Sequence, residues 1–167
     1  MLIEKSKSSQ KRNCPVTSYQ ECIKCKPCNI LSGIGGAGLF SDGKLNYIYK
    51  LGKTDLSQFM PLHQAEKLID ETEEIFNKFG MDGPAYPTDM EEAREIRKRA
   101  KRYGIDLLII KQKHLGSDRL PEHIACMADY IKSKGVAIHT SEEVKEVLIE
   151  NNHVVGVATN CKNYFAD

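Results

Sequence analysis

"SGIGGAGLFSDGKL", residues 32–45, satisfies two phosphate-loop patterns at once. Gly33, Gly35 and Gly38 spell G-x-G-x-x-G, while Gly38, Gly43 and Lys44 spell G-x-x-x-x-G-K, with Leu45 where a Ser or Thr should follow. A dinucleotide fingerprint follows a buried strand, opens a helix, and is answered about 20 residues on by an acid that takes the ribose. Here the lead-in "KPCNILS" is poor for such a strand, a helix after Gly38 meets "SDG" within a turn, and no acid-ended strand appears near position 58. The Walker-type loop fails differently: Leu45 brings no hydroxyl to magnesium, and no strand precedes Gly38. Two readings stay open. One is a glycine-rich turn that serves only close packing. The other is a secondary cradle, in which converging backbone N–H groups, helped by Ser41 and Lys44, meet the anionic part of a large cofactor held mainly elsewhere.

Outward from this stretch the chain alternates strands and helices. "MLIE" (1–4) reads as a short strand, and residues 5–30 as a long polar, basic, cysteine-bearing loop. Residues 61–79 carry Leu62, Ala65, Leu68, Ile69, Ile75 and Phe76 at helical spacing, with Pro61 at the start and Gly80 at the end. A second helix is predicted from Thr88 as cap, with Glu91 completing a capping box and Met90, Ala93, Ile96, Ala100 and Tyr103 as its buried stripe. "IDLLIIKQ" (105–112) reads as a strand, "HLGSD" as a loop, and residues 119–134 as a third helix. "VAIHT" is a further strand. "VKEVLIE" and "HVVGVAT" flank a hairpin turn at Asn151-Asn152, and "NYFAD" begins a last strand. The class is α/β: a partial Rossmann-like lobe from 1–45 and 116–167, with a segment of an α+β substrate lobe over 46–115. Both ends cut into apparent strands, so the expectation is an internal piece of something longer.

Bulk properties exclude some functions. The net charge of +1 gives no electrostatic case for nucleic acid or an anionic membrane. The longest obvious apolar run, "LLII" at 107–110, is far from a membrane span, and the N-terminus turns polar too soon for a signal peptide. The expectation is therefore a cytoplasmic protein with reduced thiols. Cys22, Cys25 and Cys28 have the paired two-residue spacing of soft metal sites, but Ser32 stands where the ferredoxin run needs a fourth cysteine. Cys14 or His63 could complete a zinc site, and free or redox-active thiols remain the other reading. The basic run Arg94 to Arg102 follows Glu91, Glu92 and Glu95, a charge order that complements the helix dipole and suits a solvated face. His114, beside Gly116 and Asp118, sits where loops often carry chemistry.

"LIEKS", the cysteine-bearing loop and "CNILSGIGGAGLFSDGKL" together closely resemble a family of FAD-dependent dehydrogenases, NAD(P)/FAD-dependent oxidoreductases without assigned substrates. The resemblance continues through "KHLGSDRLPEHI" and "KGVAIHTSEEVKEV" and covers nearly the whole chain. It implies that "MLIE" is the second strand of an FAD-binding Rossmann lobe, with Glu4 on the adenosine ribose and Lys5 beside it. It implies that Gly35, Gly36, Ala37 and Gly38 approach the pyrophosphate and ribityl chain, with Ser41, Asp42 and Lys44 nearer the flavin. Val144 matches the position whose backbone meets adenine. His114 and Asp118 fall in a segment on the substrate side and are the catalytic candidates. The family's first strand and true G-x-G-x-x-G turn lie before the position of Met1, so the chain is expected to hold FAD poorly alone and to have little autonomous activity. The implied function is FAD-dependent oxidation of a small molecule, with NAD(P) as a reductant in the whole enzyme. Two alternatives are a non-enzymatic metal- or thiol-binding module built on Cys22, Cys25 and Cys28, and an inactive remnant.

Overall fold

A computed structural model describes residues 1–16, 21–116 and 119–166. The chain mixes helices and short strands and divides into two compact units, Met1–Ser41 with Leu120–Asp167, and Asp42–Arg119.

In the first unit, β1 (Leu2–Glu4) pairs in parallel with β7 (Ile138–Thr140), Leu2 opposite Ile138 and Glu4 opposite Thr140. Helix α3 (Leu120–Ser133) leads into β7, the usual way of returning a chain to a parallel neighbour. Strands β8 (Val144–Glu150), β9 (His153–Thr159) and β10 (Asn163–Phe165) form an antiparallel meander. The β8–β9 hairpin turns at Asn151 and Asn152, with φ of 48° and 63°, the double positive-φ turn that matches strand twist. The buried apolar residues of this unit are Leu39, Leu120 and Tyr164. Buried polar groups accompany them: Ser6, Ser9, Arg12, His123 and Glu142.

Glu142 stitches the meander to the segment after β7. It accepts hydrogen bonds from Thr159 Oγ1 at 2.7 Å and Tyr164 Oη at 2.8 Å. The Thr159 bond leads in holding its carboxyl below the ordinary value, against the cost of burial. Tyr164 is pushed up to about 12, first by burial and then by its bond to Glu142.

In the second unit, β6 (Lys111–His114) is the central strand of a small sheet. It lies antiparallel to β2 (Lys44–Tyr47) on one side and β5 (Ala85–Tyr86) on the other. A tiny hairpin, β3 (Lys50–Leu51) with β4 (Thr54–Asp55), leads to α1 (Leu62–Lys78), and α2 (Met90–Lys101) follows β5. Ala65, Met81 and Tyr47 are its buried apolar residues.

Three expectations are corrected here. The strand predicted over 105–112 lies at Lys111–His114 instead, because the pairing registers select the polar "KQKH" and leave "LLII" outside the sheet. The cap of α2 is Asp89, not Thr88: its Oδ1 accepts from the N–H groups of Glu91 at 2.8 Å and Glu92 at 2.9 Å. The stripe of α2 is not buried. Met90, Ile96 and Tyr103 are exposed, and Ala93 and Ile96 instead wall an open cleft of about 430 Å³ with Tyr86, Leu107 and Leu108. No helix among the described residues is long and apolar enough to cross a membrane.

Candidate functional site

Arg12 organises the glycine-rich stretch. It is 6% exposed, and its guanidinium donates to four main-chain carbonyls: Asn29 (2.9 Å), Ile34 (2.9 Å), Gly33 (3.5 Å) and, in a short contact, Ile30. A planar fork with five donors is suited to gather several oxygens of one loop. Its Cζ also lies 5.0 Å from the Phe40 ring centroid. Burial lowers its pKa, with Glu4 and Cys28 acting in the opposite sense. Arginine keeps its charge through such shifts.

The loop fits around this side chain tightly. A Cβ on Gly33, at φ +114°, would meet Arg12 Cδ at 2.6 Å and Lys7 O at 2.7 Å. Beyond it the chain opens. Gly36 has φ 56° and ψ −159°, a conformation essentially reserved for glycine, and nothing stands within 4 Å of the place a Cβ would take. The Gly36 N–H bonds to Gly33 O at 2.9 Å, and the Ile34 N–H to Lys7 O at 3.2 Å. Those of Gly35, Ala37 and Gly38 find no acceptor among the described residues. The Ser41 hydroxyl donates to Gly38 O at 2.8 Å.

Glu4, at the carboxyl end of β1, lies on the same cleft as Gly33 and Gly35. The cleft has a volume of about 310 Å³, with Ile34, Ile124, Met127 and Ile131 among its walls. Glu4 Oε1 accepts from the Ser6 N–H at 2.8 Å, and its main-chain oxygen accepts from Glu142 N at 3.0 Å. Its Oε2 has no partner among the described residues.

Other predicted positions lie apart from this cleft. Lys5 lines a different cavity of the same unit, as expected when successive residues of extended chain point to opposite faces. Val144 is exposed at the first position of β8, paired with Thr159. Asp42, Lys44 and His114 belong to the second unit. Lys44 Nζ pairs with Asp42 at 2.8 Å, and Lys44 sits across the β2–β6 ladder from His114. The Lys44 hydrogen bond leads in holding the Asp42 carboxyl low, and His114 contributes least. Asp118 lies outside the described residues.

All six cysteines are free thiols. Cys22 is exposed, and Cys25 and Cys28 are half-buried. The N–H groups of Leu31 and then Ile30 hold the Cys28 thiol below its ordinary value, with a smaller contribution from Arg12. Among the described residues, no three His, Cys, Asp or Glu side chains converge as a metal ion would require.

Sequence reasoning missed Arg12, whose partners stand 17 to 22 residues further along, so no local pattern marks it. It also missed the buried cluster of the second unit. There Glu73 pairs with Lys113 at 3.0 Å and with Lys111, and Lys113 donates to Asn77 Oδ1 at 2.6 Å. Both ammonium groups face the Tyr47 ring, at 6.0 and 5.9 Å. Burial pushes the Tyr47 phenol up to about 12, helped by the charge of Glu73.

No protein-family model matches the chain, and neither does any curated protein.

Proposed function

We propose that the chain serves an FAD-dependent oxidoreductase of the dehydrogenase type, with the first unit as a partial Rossmann-like nucleotide lobe. One observation carries the reading: Glu4, at the carboxyl end of a strand in a parallel pair, shares a cleft with the glycine loop. Ligands of open parallel sheets bind outside the carboxyl ends of the strands, and an acid there suits ribose hydroxyls. The donor set fits a flavin nucleotide. Glu4 Oε2 would accept from the sugar. The free N–H groups of Gly35, Ala37 and Gly38 would meet the pyrophosphate, and the bare backbone at Gly36 allows close approach. Arg12 keeps those donors in place by gathering the loop's carbonyls, and the apolar cleft walls keep water from the nucleotide. FAD, when bound, supplies hydride acceptance, with NAD(P) as a reductant and a small molecule as substrate.

The test is a fluorescence titration of FAD with the full chain. Wild type is expected to bind weakly but saturably, with pyrophosphate competing. Ala37→Pro removes one free donor while leaving the loop's own hydrogen bonds intact, and Glu4→Gln weakens the sugar contact. Each should lower affinity about tenfold, the effect of about 1.4 kcal/mol. Absence of saturable binding, or both variants binding as wild type does, would overturn the reading.

A further inference from the structure

The cavity that receives Lys5 has a chemistry of its own. It has a volume of about 430 Å³ and lies in the first unit, lined by the segment after β1, residues 25–29 and the segment after β7. Lys5, Lys7 and Lys26 stand on its walls, and none has an ion-pair partner among the described residues. Its one carboxylate, Glu143, is paired with Lys145. That bond leads in holding the Glu143 carboxyl low, with Lys5 the smallest contributor. Three lysines without an ion-pair partner among the described residues therefore line the cavity.

Uncharged donors complete it. Asn160 on the wall accepts from Glu143 N through Oδ1 at 2.7 Å, which directs its amide nitrogen elsewhere. Ser141 holds φ +61° and gives its own N–H to Ser6 O at 2.7 Å. Ser6, only 2% exposed, also lines the cavity, and its hydroxyl is buried without a hydrogen-bond partner. A buried, unpartnered hydroxyl in a folded protein is uncommon and costly.

We infer that this cavity is a binding site for a phosphate monoester, distinct from the cleft of Glu4 and the glycine loop. Separate ammonium groups act as point charges on a dianion, and hydroxyl and amide donors can fill its remaining oxygens. The volume leaves room for a small organic moiety beyond the phosphoryl group, so the ligand class is a phosphorylated small molecule.

Titration of the full chain with inorganic phosphate, followed by amide chemical shifts at constant ionic strength, tests this. Saturable shifts are expected at Ser6, Lys7 and Ser141. Lys5→Gln, Lys7→Gln and Lys26→Gln should each weaken binding about fivefold, and Lys50→Gln in the second unit should leave it unchanged. Shifts that never saturate, or that survive the triple Lys→Gln variant, would overturn the site. Loss of the phosphate shifts on adding FAD would also overturn it, by assigning the cavity to the cofactor. Persistence of those shifts with FAD present supports two separate sites. Failure of FAD to bind the cleft of Glu4 leaves the phosphate result standing independently.

Discussion

Replacing Arg12 by Met keeps a long apolar stem in the buried channel but deletes the guanidinium. Three of the carbonyls it serves are at ordinary or short distance, and the fourth, at 3.5 Å, is weak. Hydrogen bonds to a charged donor contribute about 1.5–3 kcal/mol each when buried. These carbonyls are mostly part-buried and regain some water once the donor is gone, so about 1 kcal/mol each is the better figure. Loss of the contact with Phe40 adds about 0.5 kcal/mol. The expected cost is about 3–4 kcal/mol, concentrated in the first unit. Arg12→Lys, with charge but no fork, should recover less than half. Urea unfolding gives the global figure, and hydrogen exchange gives the local one. The amides of Ile34 and Gly36, bonded to Lys7 O and Gly33 O, should lose protection first. An Arg12→Met protein within about 0.5 kcal/mol of wild type, with both amides still protected, would refute the reasoning.

Three further outcomes are expected. Gly33→Ala should destabilise the first unit by about 2–3 kcal/mol, through steric conflict and positive φ together, and Gly36→Ala by about 1–2 kcal/mol, through backbone alone. Thermal melts that reverse this order would contradict the loop geometry. Glu73→Gln should cost about 3 kcal/mol by leaving Lys113 buried without its counter-charge. Burial alone would raise the Glu73 carboxyl, but Lys111 and Lys113 together outweigh it and hold it low. Its contribution is therefore present above the unfolded value of about 4.3 and lost as pH falls further, so urea midpoints should fall less steeply with acid in the variant than in wild type. Tyr47 and Tyr164 should ionise at about 12 in an absorbance titration of phenolate. Their stabilisation is fully present below the unfolded value near about 10 and lost as pH rises through about 12. Tyr164→Phe should remove one late step, and an unchanged titration curve would count against the Glu142 contact.

The helices were legible because their apolar spacing is long and each stops before a glycine. The meander was legible because Asn151-Asn152 sits between two runs rich in β-branched residues. The central strand of the second unit was not. "KQKH" has a strand's geometry but not a strand's composition, since Lys113 is tolerated inside only because Glu73 and Asn77 come from a helix more than thirty residues earlier. "LLII" attracted the strand assignment because a short apolar run does not reveal its period. Asp89 displaced Thr88 by one position, a distinction that depends on which oxygen reaches the first turn. At the candidate site, Glu4 and the glycines could be named from sequence, but not which amides are free. That depends on Gly36 spending its N–H on Gly33 O. Nor could sequence show that Glu4 and Lys5, adjacent in the chain, face separate cavities.

Arg12 and Gly33 are 21 residues apart, yet they compete for one small volume. Substitutions at the two positions should not add, because shortening Arg12 removes its share of the conflict a methyl group at 33 would meet, while the Lys7 carbonyl and the positive φ keep theirs. Descent therefore has a preferred order. A lineage that loses the arginine first relaxes the demand on its partner, whereas one that gains a side chain at 33 first must survive the collision. The pair is expected to be inherited together, and a homologue carrying alanine at 33 should show both a shorter residue at 12 and a displaced carbonyl at 7.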